Sequence, residues 1–434
     1  MQTLQQLLSG ELKGSKTLQL SCELTLFPNE IFDLADTLEI LDLSNNKLSQ
    51  LPENFCDLKK LKIAFFSDND FVEFPAVLAQ CPSLTMIGFK SNKIKLVPEN
   101  AFPVNLQWLI LTNNFIERIP HSIGLCSKLQ KVAFAGNNLK SLPEEMANCK
   151  NIELLRIAAN QLTEFPQWLL TLPRLSWLAY SGNPFSKTIP VKDELPVISW
   201  NELTIHEILG QGASGIISKA TWNNLTTKKE VAVKVFKGEV TSDGFPEDEM
   251  NACITAGNHE NLVAVLGKIK NHPEQKPGLV LELIPPTFKN LAGPPSFETC
   301  TRDTFKPGTV FTSELILKIC TSVALASYHL HQKGIMHGDL YAHNTLFDKE
   351  GTTIFGDFGA ATIYAQSDAN ATLLERLDVR AFGCFMDDLL NQVDKNKTNE
   401  SLFLCLSGLK TACLNEAISN RPSFFELKEM LLIF

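Results

Sequence analysis

Among its eleven cysteines the chain has no C-x-x-C pair, which argues against zinc-ribbon and thioredoxin-type chemistry. It has no run of eighteen apolar residues, so no membrane-spanning helix is expected. The start, Met1-Gln2-Thr3-Leu4-Gln5-Gln6-Leu7-Leu8, lacks the basic opening and long apolar run of a secretory leader. Positive charge is also in deficit. The formal net charge is −9, divided as −2 over residues 1–200 and −7 over 201–434. That balance argues against a nucleic-acid backbone or an anionic membrane as the main partner. These absences predict a soluble protein of a reducing, cytoplasmic compartment. With 434 residues, 44% of them hydrophobic, the chain is long enough for two or three domains.

What is present first is periodicity. From Leu38 to Phe185 a unit returns every 22–23 residues, as in Leu38-x-x-Leu41-x-Leu43-x-x-Asn46-x-Leu48-x-x-Leu51-Pro52. Later copies begin at Leu61, Leu84, Leu106, Leu129, Ile152 and Leu175, with asparagine at 69, 92, 114, 137, 160 and 183. A degenerate copy near Leu18 and Leu20 brings the number to about eight, and the pattern resembles the leucine-rich repeat. One unit cannot bury its own apolar residues, so neighbours are expected to stack into an α/β solenoid with a single parallel sheet. The asparagines are expected to form an internal ladder, and the segment through Gly14 to cap the end. Cys81, Cys126 and Cys149 each precede a repeat by three residues and read as small buried hydrophobes.

One column departs from a neutral scaffold. In each strand the residue before the second leucine should point outward. Those positions hold Ile40, Ile63, Met86, Trp108, Lys131, Leu154 and Trp177, and the neighbouring column adds Phe65 and Ile110. An apolar stripe of this extent is expected to be covered. A protein partner, or the chain's own second half, would dock there through Ile63, Phe65, Trp108, Ile110 and Trp177. Two prolines and mixed charge in Ser186–Pro196 then end the repeat pattern, which assigns 1–185 to the solenoid and 186–200 to a linker.

Residues 201–434 are organised around Met336-His337-Gly338-Asp339-Leu340-Tyr341-Ala342-His343-Asn344, followed by Asp357-Phe358-Gly359. A helix is predicted before it, capped by Thr312 or Ser313, with Ile316, Ile319, Val323 and Leu330 on one face and Gly334 as stop. Thr345–Phe347 and Thr353–Phe355 read as short strands. Asp339, Asn344 and Asp357 offer three hard oxygen donors on loops, which suits magnesium-assisted phosphoryl transfer. Upstream, Leu209-Gly210-Gln211-Gly212-Ala213-Ser214-Gly215 is a glycine turn followed by the alternating strand Glu230-Val231-Ala232-Val233-Lys234.

Glycine turn, strand with V-A-V-K, H-x-D with a following asparagine, and D-F-G together resemble the protein kinases. The resemblance implies an α+β bilobal domain over 201–434 that uses ATP and magnesium, with Asp339 as catalytic base and Asn344 and Asp357 as metal ligands. It implies that Leu209, Gly210, Gly212 and Gly215 cover the phosphates, that Ile217 and Ala232 sandwich the adenine, and that Lys234 contacts the phosphates. Glu249 would hold Lys234 in place, with Glu247 as the alternative because the spacing to His259 is one residue long. Leu281 would be the gatekeeper, and the backbones of Glu282 and Ile284 would meet the adenine edge. Asp378 resembles the aspartate that braces the catalytic loop, with Arg380 in a place usual for tryptophan, and Arg421 resembles the family's late arginine, which lacks its usual glutamate unless Glu375 serves.

The departures bear on the acceptor. Gly338 replaces the arginine that reads a phosphorylated activation loop. Tyr341 stands where serine/threonine kinases place a lysine, and His343 where many tyrosine kinases carry arginine. Only twenty residues separate Asp357 from Asp378, and no A-P-E occurs. The whole resembles a protein kinase, serine/threonine by preference, fused to a leucine-rich-repeat recognition domain. A small-molecule phosphotransferase and a non-catalytic scaffold with a nucleotide-binding pseudokinase remain the alternatives.

Overall fold

The computed structural model describes residues 2–186, 195–212, 214–224, 228–238, 240–394 and 399–434. Residues 187–194 of the linker, and Ala213 of the glycine turn, lie outside the described residues. The chain divides into two compact units, 1–175 with 183–185, and 176–182 with 186–434.

The first unit opens with the short helix α1 (Leu4–Leu8), which has a capping box between Thr3 and Gln6. Seven three-residue strands follow: β1 (Thr17–Gln19), β2 (Ile40–Asp42), β3 (Ile63–Phe65), β4 (Met86–Gly88), β5 (Trp108–Ile110), β6 (Lys131–Ala133) and β7 (Leu154–Arg156). They pair in parallel, each with the next, in strict repeat register: Leu41 opposes Ala64, then Ile87, Leu109, Val132 and Leu155. Prolines 28, 75, 120, 143 and 166 stand before short 3-10 turns, their fixed φ starting each return of the chain. At the open edge, Gln2 donates to Thr17 O (2.9 Å) and accepts from Gln19 N–H (2.8 Å), occupying β1 groups that would otherwise template another strand.

Inside, the ladder is complete at the repeats. Asn69 donates to Leu43 O (2.9 Å) and accepts from Leu48 N–H (2.8 Å), and Asn92, Asn114, Asn137 and Asn160 repeat the pattern one turn later each. The residues before four of these asparagines, Asp68, Ser91, Asn113 and Ala159, have φ between 52° and 57°, and Gly136 before Asn137 has φ 69°. The turn therefore imposes the left-handed region even on residues that disfavour it. Where the motif substitutes phenylalanine for leucine, Phe66, Phe71, Phe74 and Phe89 pack edge and face at 5.0–5.8 Å, filling the core with ring contacts.

The second unit begins with β8 (Trp177–Ala179), a strand that carries the last repeat motif in sequence. After it come β9 (Val197–Ser199), β10 (Leu203–Gln211), β11 (Gly215–Asn223), β12 (Lys228–Phe236), helix α2 (Pro246–Ala256), β13 (Val265–Lys270), β14 (Gly278–Glu282) and β15 (Lys289–Asn290). A sheet of order β10-β11-β12-β14-β13-β9 forms the smaller lobe. Its core joins Ile198, Leu203, Ala220, Val231, Val233 and Val280. Residues 197–199, assigned to the linker on composition, thus add a parallel edge strand beside β13.

The larger lobe holds α3 (Ser313–Gln332), β16 (Ile335–Met336), β17 (Thr345–Phe347), β18 (Thr353–Phe355), β19 (Thr362–Ile363), α4 (Ala371–Leu390), α5 (Glu400–Cys413) and α6 (Phe424–Leu432). Thr312 caps α3 by accepting from Leu315 N–H, and Ile316, Ile319, Val323 and Leu330 are buried on one face, as the periodicity requires. Among the described residues no helix is long and apolar enough to cross a membrane. All eleven cysteines are free thiols.

The ladder generates a stability prediction. Asn137→Ala strips partners from Leu111 O, Phe134 O and Ile116 N–H, all buried. The loss should be about 3 kcal/mol or more, read as a lower urea midpoint of the repeat unit.

Candidate active site

Local backbone chemistry puts each functional group in place. The glycine turn joins β10 to β11 as an antiparallel pair. Gly215 has no room for a side chain, since a Cβ there would stand 2.6 Å from Val235 O. In β12, Val231, Ala232 and Val233 are buried, and Lys234, paired on both sides within the sheet, lines a cleft. That cleft is lined by Gly212, Gly215, Ile217, Lys234, Glu249, Leu281 and Asp357 from the expected set, and also by Ser214, Thr241, Asp243, Cys253, Val263, Val265 and Leu279. The glycine-turn residue Leu209 is half exposed. Ala232 is buried opposite Leu281 across the β12–β14 pair. Glu282 pairs with Val231 at the end of β14, and Ile284 follows it half-buried. Leu209, Gly210, Ala232, Glu282 and Ile284 do not reach the cleft lining.

Lys234 Nζ forms an ion pair with Glu249 Oε1, and Glu249 is the member of α2 that faces it. Glu247, the alternative, is exposed on the same first turn. Burial works to lower the Lys234 pKa. The Glu249 carboxylate, with Asp357 beyond it, outweighs burial and holds the ammonium above its ordinary range. The cleft therefore presents a fixed cation.

On the larger lobe, Asn344 Nδ2 donates to Asp339 Oδ2 (2.8 Å) and Asp339 O (3.0 Å). Gly356 N–H donates to Asn344 O at 3.2 Å, so the catalytic-loop pair abuts the strand that delivers Asp357. Asp357 itself sits at φ 60°, a conformation aspartate tolerates better than most residues, and its Oδ1 accepts from Gly359 N–H (3.1 Å). His337 ties the two loops together. Its Nε2–H donates to Gly356 O (3.1 Å), its Nδ1 accepts from Asp339 N–H (3.3 Å), and its ring stacks on Phe355 at 4.1 Å. Burial lowers its pKa, which keeps the neutral imidazole this bonding needs.

Asp378, buried in α4, accepts from His337 N–H (2.7 Å), Gly338 N–H (3.0 Å) and His331 Nε2–H (3.0 Å). The segment expected to brace the catalytic loop does so from within one long helix. Arg421 donates to Asn415 O (2.8 Å) and Arg376 O (3.0 Å), while Glu375 accepts from Phe424 N–H (2.8 Å).

A second brace was not foreseen. Asp303, in the Pro- and Gly-containing stretch before α3, accepts from Ala342 N–H (2.6 Å) and His343 N–H (3.2 Å), and pairs with His343 Nδ1 (2.6 Å). Burial alone would lower the His343 pKa; the Asp303 carboxylate reverses this and raises it. A single aspartate in an irregular stretch carries no periodic signal, so nothing in the sequence marked it. Of the hydroxyls after Asp357, Thr362 and Tyr364 are buried, and Tyr364 shares a 2.9 Å bond with His331 Nδ1; Ser367 and Thr372 are exposed.

Comparison with known proteins agrees with this geometry. Residues 203–381 match the family model of protein tyrosine and serine/threonine kinases, and residues 37–58 match the leucine-rich repeat. The chain is similar to a probable serine/threonine-protein kinase, kinY, of Dictyostelium discoideum, with 29% identity over 40% of this chain and 30% of that protein. It is similar to the tyrosine-protein kinase transforming protein RYK of avian retrovirus RPL30, with 25% identity over 54% of this chain and 61% of that protein. Mouse cyclin-dependent kinase 11B shares 28% identity over 48% of this chain and 29% of its own length. The chain thus spans about a third to three fifths of these relatives. A cation held by an acid across a cleft, a looped aspartate–asparagine pair and a matching family model converge: residues 203–381 are a protein kinase domain of the tyrosine and serine/threonine kinase family, in a chain that also carries leucine-rich repeats.

Proposed function

We propose that the protein is an ATP- and magnesium-dependent protein kinase, acting on serine or threonine by preference, in the cytoplasm. The observation that carries the reading is the formed Lys234–Glu249 pair, which opens on the same cleft as Asp357. The named relatives are serine/threonine- and tyrosine-protein kinases, which favours a protein acceptor over a small molecule. Free thiols throughout fit a reducing compartment.

The donor set suits magnesium: the Asp357 carboxylate is exposed, and Asn344, whose amide N–H groups are committed to Asp339, keeps its carbonyl oxygen for a cation. When bound there, the ion would neutralise charge developing on the transferred phosphoryl group. Lys234 would steady the phosphate tail. Asp339, oriented by the Asn344 amide and the His337-bound backbone, would accept hydrogen-bonding from the acceptor hydroxyl and take its proton.

We propose also that the apolar repeat column receives a protein segment through Phe65, Trp108 and Ile110; Ile63, expected in the same column, is buried and is left out of this surface. Phe65 meets Trp108 edge-on at 6.5 Å, and Lys131 Nζ lies 4.2 Å over the Trp108 ring, which shapes an apolar face with a cationic border. Trp177, expected in the same column, is instead stacked on Tyr341 and is left out of this surface.

Transfer of label from ATP to generic protein substrates tests the enzymatic reading. Asp339→Asn should lower turnover about 10³-fold while a nucleotide-dependent rise in Tm persists. Transfer that survives this substitution would remove the base assignment, and nucleotide binding without turnover in the unsubstituted chain would replace the kinase by a scaffold. Lys234→Met should cost about 10²-fold or more, since it removes a preorganised charge from a cleft that excludes water; circular dichroism should stay unchanged.

A further inference from the structure

The seven residues Ser176–Gly182 carry the last repeat motif yet belong to the second compact unit, and two of them, Trp177 and Leu178, meet the catalytic loop. The Trp177 indole is 1% exposed. It stacks flat on Tyr341, with ring centroids 4.4 Å apart and planes 6° from parallel. Its Nε1–H donates to Leu340 O at 3.0 Å. One residue on, Leu178 O stands where a Cβ on Gly338 would have to be, and Gly338 has φ 69°. Tyr180 is buried in the field of Tyr364, Asp368 and Asp378. Gly182 backs onto Phe245 at the start of α2, where an added Cβ would lie 2.7 Å from the ring.

Asp339 lies between these contacts. Asp378 holds the backbone at 337–338, and Asp303 holds it at 342–343. The span between them contains a buried carbonyl, Leu340 O, which requires a donor, and a large ring, which requires a packing partner. Trp177 supplies both. The two departures from the usual motif then have one cause: only glycine fits under Leu178 O, and a flat ring at 341 offers the indole a face that a lysine would not.

We propose that the strand Ser176–Gly182 is a brace for the catalytic loop, with Trp177 as a positioning residue that holds Asp339, taking over support that the short stretch between Asp357 and Asp378 has little chain to give. Its catalytic consequence rests on the kinase reading above; its structural consequence does not.

Full-length Trp177→Ala and Trp177→Phe separate the two. In Trp177→Ala, amide exchange over residues 337–344 should accelerate about tenfold while the β10–β14 sheet is unaffected. Its kcat should fall about tenfold with KM for ATP within about twofold, because loop position rather than nucleotide contact is lost. Trp177→Phe keeps a ring on Tyr341 but no donor for Leu340 O, so kcat should return to within about threefold and exchange should stay raised only at 340–342. Unchanged exchange at 337–344 in Trp177→Ala overturns the brace. So does unchanged exchange at 340–342 in Trp177→Phe, which decides the matter if the alanine variant does not fold. Accelerated exchange in a chain that transfers no phosphate would leave the brace standing and sink the kinase reading instead.

Discussion

The Asp378 carboxylate is the constraint on which the site depends. A buried carboxyl group is costly unless hydrogen-bond partners surround it. Here three N–H groups do, two of them from the backbone of the catalytic loop itself. The same bonds that make the burial tolerable therefore fix the loop at the residue before Asp339. From that point the remaining geometry propagates locally. His337 links the loop to the strand before Asp357, Asn344 reaches back to Asp339, and the Asp303 carboxylate closes the far end. Removing any one of the outer bonds leaves the others; removing Asp378 leaves a helix with nothing to hold.

The smaller lobe solves a different problem with the same economy. Lys234 must be charged and stationary inside a cleft that penalises charge. Val231, Ala232 and Val233 anchor its strand in the core, and Glu249 answers its charge. Glu249 can do so because α2 begins with Pro246 at a position where the missing N–H costs nothing, followed by acidic residues that suit a helix N-terminus. The site is thus assembled from two lobes, each internally over-determined.

Much of this was legible in the chain. The 22–23-residue period, the glycine turn and the H-G-D and D-F-G stretches are local signals, because repetition and tight turns impose residue types at fixed offsets. The α3 face followed from its apolar spacing with a cap and a glycine stop, and the segments Thr345–Phe347 and Thr353–Phe355 form the strands expected of them. What could not be read were single residues supplied from afar. Asp303 acts 39 residues from Ala342, and Thr241, Asp243 and Cys253 line the cleft from positions without a pattern. The left-handed turn at Ala159 is also invisible, since alanine advertises no such conformation; the repeat geometry overrides its preference. Strand β9 escaped for a related reason: three residues after two prolines look like linker until a sheet edge pairs with them.

Gly338 and Tyr341 show how a missing group can be misread when the chain is taken one position at a time. Beside the usual pattern, glycine for arginine is a lost cation, and tyrosine for lysine is a lost phosphate contact. In the folded second unit both positions face the strand at 176–182, one giving it room and the other giving it a surface. An arginine at 338 would have to displace Leu178 O. A lysine at 341 would leave the indole without a ring to lie on. The two substitutions are therefore mutually consistent with the strand in place, one leaving space for its backbone and the other a ring for its indole.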